Sequence, residues 1–157
     1  MYTLNHTIEK NVIDADGRYL GAKELSTLEQ YAQGYANRLV AYQELRDHNK
    51  PLVVQALTHL FKSYPDLLQH HKQRCVYDMS ETLRYIALAI LRDDELFFME
   101  ALMSWLDTIL LAYKKNVACA IAYRHLQDAV EQQLSASSVL LVRPYLERVR
   151  QGLESHA

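Results

Sequence analysis

The chain has 157 residues and a formal net charge of -2, about one domain's length of chain and no general attraction for nucleic acid. Half its residues are hydrophobic and 23% are charged, which excludes a disordered chain. Its four glycines and three prolines argue against a turn-rich β-sandwich or a glycine-rich phosphate loop.

The polar N-terminus shows no apolar signal core, and no stretch reaches the roughly 18 apolar residues of a spanning helix. Cys75 and Cys119 make no disulfide framework. A cytoplasmic protein without membrane insertion is expected.

The dominant period is helical. Asp16-Gly17 is a turn signal between a short N-terminal helix and a long one predicted over Ala22 to Asp47. Pro51 reads as the first turn of the next helix, with Val53, Val54, Leu57, Leu60 and Phe61 on its stripe. Tyr64-Pro65 ends that helix, because the residue before proline is pushed out of the α region. Met79, Leu83, Ile86, Ala87 and Ile90 mark the following helix, with Cys75 near its start. Asp93, Asp94 and Glu95 cluster where another should begin, since negative charge favours a helix N-terminus. Its stripe is Leu96, Met99, Leu102 or Met103, Leu106, Ile109, Leu110 and Tyr113, and Lys114 and Lys115 suit its C-terminal end. Val117, Ile121, Leu126, Val130 and Leu134 form the next stripe. Ser135 to Ser138 link it to a last helix carrying Leu141, Tyr145, Val149 and Leu153, with Pro144 in its early turns. Seven or so helices of unequal length, with no strand, suit a globin-like packing better than an up-down bundle. Residues 1–157 are expected to form a single all-α domain.

Certain segments match a known pattern. Asp14-Ala15-Asp16-Gly17-Arg18-Tyr19-Leu20 with Glu24-Leu25 resembles the N-terminal signature of phycobiliproteins, the bilin-carrying globins of the cyanobacterial antenna. Leu60-Phe61-Lys62-Ser63-Tyr64-Pro65-Asp66 is similar to that family's Leu-Phe-x-x-x-Pro-Asp. Cys75-x-x-Asp78 followed by Leu83-Arg84 resembles its chromophore-cysteine motif. The resemblance implies a globin-like phycobiliprotein fold with an N-terminal helical extension over residues 1–20, used in subunit pairing. It further implies roles in that pairing for Asp14, Tyr19 and Arg84, and a homodimer. Two departures stand out. The loop between Asp66 and Cys75 is shorter than in antenna subunits by roughly nine residues, about two and a half helical turns. Tyr77 stands where the family usually has a basic residue for a bilin propionate. Glu81 and Thr82 also replace tyrosines common at pairing positions.

A bilin offers two propionates and a row of pyrrole N–H groups. Lys72 and Arg74 could meet the propionates, with His70 and His71 nearby, and Asp78 could accept from the N–H groups in charge-assisted hydrogen bonds. Basic neighbours and a helix start would lower the Cys75 thiol pKa and favour its attack on an unsaturated carbon. Lys72, Arg74, Cys75 and Asp78 are therefore the expected contacts for a phycocyanobilin-like bilin, with covalent attachment left open. The plainer alternative is a buried Cys75 beside an exposed Arg74–Asp78 pair of little weight. His70, His71 and Cys75 make a weak zinc signal, and no metal site is expected. No catalytic constellation is found.

The short loop and Tyr77 favour a non-enzymatic accessory role in bilin biosynthesis or handling, with bilin-biosynthetic enzymes or phycobilisome proteins as partners. The alternatives are a covalently pigmented light-harvesting subunit of the phycobilisome, a haem-binding sensor globin using His125, and an interaction module without a ligand.

Overall fold

A computed structural model describes residues 4–106, 108 and 116–155. The described residues contain helices and no strand, arranged as an all-α globin-like body with an N-terminal extension. The helices are α1 His6–Asp14, α2 Ala22–Ser63, α3 Pro65–Arg92, α4 Glu95–Phe98, α5 Asn116–Gln133 and α6 Ala136–Ser155, and a π-helical turn, Met99–Met103, follows α4. Ile109, Leu110, Tyr113, Lys114 and Lys115 lie outside the described residues.

The largest difference from the sequence reading is at Pro51. It lies inside α2, which runs unbroken through 42 residues. An internal proline costs about 3 kcal/mol through its lost hydrogen bond and its ring's clash. Leu52, Val53, Ala56, Leu57 and Leu60 nevertheless prolong the buried stripe begun by Ala41 and Leu45. Each buried Leu or Val contributes about 1.5–3 kcal/mol, so Leu52 and Val53 together match the proline penalty. Pro51 itself is exposed. Val54, Leu96 and Val117, placed on apolar stripes by spacing, are also exposed.

Pro65 stands at the first position of α3, as the Tyr64-Pro65 signal requires. The span read as a shortened loop between Asp66 and Cys75 is helical throughout. Cys75 is therefore nearly three turns inside α3, and the helix-start effect expected on its thiol is absent there. At the other end, Asp93 closes α3 in the left-handed conformation, φ 52°, which Asp tolerates better than most residues. The Asp94 amide then donates to Ala89 O at 3.1 Å, satisfying a terminal carbonyl.

A polar latch joins the extension to the globin body. The Asn5 side chain accepts from the Ile8 amide to cap α1, and its amide group donates to the carbonyls of Arg92 and Asp93. Asp94 Oδ2 accepts from the His6 backbone N–H at 3.0 Å and lies 2.6 Å from His6 Nδ1. Its Oδ1 caps α4 by accepting from Phe97 N. Within the acidic cluster at Asp93–Glu95, Asp94 is buried with both carboxylate oxygens in use.

In the body, α3 and α5 both pack on α2, and α6 closes against α5 and α2. α3 and α5 pack little on each other. Leu83, Ile86, Phe98, Leu102, Leu126 and Leu146 are wholly buried at the shared centre.

Candidate functional site

The gap between α3 and α5 is a cleft that opens to solvent, with a cavity of about 120 Å³. Leu57 and Leu60 of α2 form its floor. His71, Arg74, Cys75 and Asp78 come from α3, and Cys119 and Tyr123 from α5. Trp105 and Leu106, just past the π-helical turn, complete the wall. Such turns insert an extra residue and re-aim the side chains beyond them.

Three of the four expected contact residues meet there. Arg74 donates from Nε to Asp78 Oδ2 at 2.9 Å across one helical turn. The other carboxylate oxygen, Asp78 Oδ1, is buried without a hydrogen-bond partner. Burial pushes the Asp78 carboxyl pKa above its ordinary value, more strongly than the Arg74 guanidinium pulls it down. An acceptor left in that condition has an unmet demand for a donor. Cys75 is half-buried on the same wall, and neither it nor Cys119 is in a disulfide.

Lys72, the fourth, is exposed and does not line the cleft. At 3.6 residues per turn it stands about 100° round α3 from His71, and His71 takes the place expected of it. Tyr77, in the position of the missing basic residue, is exposed near Arg74, whose guanidinium carbon is 5.9 Å from its ring centroid.

Spacing alone missed the α5 side. The Tyr123 hydroxyl lies 2.8 Å from Thr82 Oγ1, a buried bridge between α5 and α3 at the cleft's inner end. Burial raises the Tyr123 phenol pKa, opposed by the Thr82 hydrogen bond, and nearby Cys119, Asp78 and Cys75 raise it further. Only the four-residue step from Cys119 to Tyr123 hinted that they share a face.

His125 is not in the cleft; it is half-buried with its ring 5.4 Å from that of His59. That placement removes the residue on which the haem reading depended. Among the described residues no group of three or more His, Cys, Asp or Glu is placed to hold a metal.

The expected pairing residues are spread over the surface. Asp14 ends α1 and is exposed, and Tyr19 is 98% exposed. Arg84 is held by Glu81 on the same helix, with an Nη2–Oε2 distance of 2.6 Å, and lies over the Tyr85 ring.

Comparison with known proteins gives a consistent match. The family described as phycobilisome protein matches residues 10–153. The allophycocyanin alpha-B chain of Cyanidium caldarium is 26% identical over 164 residues, covering 93% of this chain and 97% of its own. Allophycocyanin subunit alpha 1 of Nostoc sp. is 30% identical over 97 residues, 55% of this chain and 60% of its own. The allophycocyanin alpha chain of Anabaena cylindrica is 30% identical over 89 residues, 52% and 56% of the two chains.

Proposed function

From the premise that the chain belongs to the phycobilisome protein family, we propose that it is a pigment-bearing phycobilisome subunit whose Cys75 cleft takes a linear tetrapyrrole. The orphaned Asp78 Oδ1 in an apolar cleft beside a thiol is the observation that carries this reading. Such a ligand supplies a conjugated apolar body, a row of N–H donors and unsaturated carbons open to thiols. The apolar walls take the body. Asp78 accepts from the N–H row. Arg74, at the mouth, holds Asp78 and offers the guanidinium's remaining donors to a propionate. Cys75 provides the thioether link.

The relatives are named as allophycocyanin chains, and this favours the pigmented subunit over the accessory role in bilin biosynthesis that the short loop suggested. The role is structural and light-absorbing rather than enzymatic. No described helix is long and apolar enough to cross a membrane, and we place the protein in the cytoplasm. Residues 1–157 act as one unit, with 1–20 as the pairing extension. A second copy or another phycobilisome protein is the partner, through surfaces that include Asp14, Tyr19 and Arg84.

Coexpression with a bilin-producing pathway tests the reading. Wild type is expected to keep visible absorption, and zinc-enhanced fluorescence on a denaturing gel, while Cys75→Ala loses the denaturation-resistant pigment. A colourless wild-type protein would overturn the proposal.

A further inference from the structure

The cleft holds two thiols. Cys75 projects from α3 and Cys119 from α5, and both line the same apolar space. The two helices pack on α2 while packing little on each other, so the thiols face the cleft from separate walls. Tyr123, one helical turn beyond Cys119, and Asp78, one turn beyond Cys75, stand on the same two walls. We propose that Cys119 is a second nucleophile of this cleft, able to form a thioether with a linear tetrapyrrole held between α3 and α5. The proposal rests on the tetrapyrrole reading of the site and adds a residue that neither motif nor spacing assigned.

The chemistry needs no outside oxidant or reductant. The Cys119 Sγ adds to one carbon of a vinyl or ethylidene C=C. The π bond breaks as the S–C bond forms, and the thiol proton goes to the neighbouring carbon. Thiolate is the reacting form. Tyr123, whose hydroxyl is engaged with Thr82, fixes the inner end of the wall from which Cys119 reacts.

The test uses full-length protein, phycocyanobilin as the probe, and peptide mass spectrometry after denaturation. Wild type, Cys75→Ser, Cys119→Ser and the double variant are first matched for helicity by circular dichroism. The expected result is an adduct on the Cys119 peptide in Cys75→Ser, an adduct only on Cys75 in Cys119→Ser, and none in the double variant. In unmutated protein, preloading with phycocyanobilin is expected to abolish N-ethylmaleimide labelling of Cys75, whose sulfur is then a thioether, and to slow labelling of Cys119 by about tenfold. An adduct on Cys75 in wild type, with none on Cys119 in Cys75→Ser and no protection of Cys119, would overturn this inference and leave the site reading intact. Absence of pigment from every variant would overturn both. A Cys75–Cys119 disulfide in the purified protein would also count against it, because walls that close on each other leave no ligand between the thiols.

Discussion

Asp78 is held under opposing influences. Arg74 ties one oxygen, while burial without a donor leaves the other oxygen unsatisfied. Its folded pKa lies above the ordinary 3.8, so the folded state binds the proton more tightly than the unfolded one. Stability of the empty protein should therefore fall as pH rises from 3.8 through the folded value. Asp78→Asn should remove that dependence and leave neutral-pH stability unchanged or higher by up to about 1 kcal/mol. Urea titrations at several pH values would check this. With the ligand bound the sign reverses. In a Cys75→Ala background, Asp78→Asn should weaken noncovalent phycocyanobilin binding by about tenfold to a hundredfold, the equivalent of one charge-assisted hydrogen bond. The helical period made it legible that Arg74, Cys75 and Asp78 share one face of α3, while the expectation that this face meets a bilin came from the family resemblance. Lys72 falls outside the cleft lining because nearness in sequence is not nearness on a helix. Cys119 could not be placed opposite Cys75 at all, since nothing local links residues on two helices that meet through α2.

At the scale of elements, two junctions hold more than local sequence preference shows, and each gives a test. Pro51 interrupts α2's hydrogen bonding without ending it, because the buried stripe continues through Leu52, Val53, Ala56 and Leu60. Reading a helix start there was sound by local rule and failed against tertiary packing. Pro51→Ala should raise stability by about 1–3 kcal/mol, short of the full helix-interior penalty if α2 has already relaxed around the ring; thermal melts would show it. The corner at Asp93–Asp94 was legible as a helix start, yet its second task was hidden. It also anchors Asn5 and His6 from 87 to 88 residues away. Asp94 is pushed up by burial but pulled further down by the Phe97 and His6 amides and the His6 side chain, so its pKa is lowered overall. A lowered carboxyl contributes stability above its unfolded pKa and loses it as pH falls through the folded value. Amide exchange in α1 should therefore accelerate once pH drops below the ordinary 3.8. Asn5→Ala should free α1 at neutral pH by removing a cap worth about 1 kcal/mol and two further hydrogen bonds.

The molecule as a whole leaves its extension unfinished. α1 contains no buried residue, and the polar latch at its N-terminal end ties it to the α3–α4 corner. Val12, Ile13 and Leu25 are about half exposed or more, and Tyr19 is almost fully so. Scattered apolar residues are ordinary on a surface, but here four fall between residues 12 and 25 around one turn. Gly17, at φ 79°, makes that turn possible. Arg18 and Glu24 brace it through a 2.6 Å ion pair, and that pair and the Gly21 amide hold the Glu24 carboxyl down to about 2. In the pairing proposed above, this braced turn presents the exposed Tyr19 ring to the second copy. Aromatic anchors carry most of the energy at such contacts. Tyr19→Ala should therefore weaken self-association by about 2 kcal/mol, roughly thirtyfold in dissociation constant, while leaving the thermal stability of the globin body within about 0.5 kcal/mol. Sedimentation velocity across a dilution series separates the two effects. An unchanged dimer in Tyr19→Ala, or a wild-type protein that stays monomeric at high concentration, would show that α1 and its turn await a different chain.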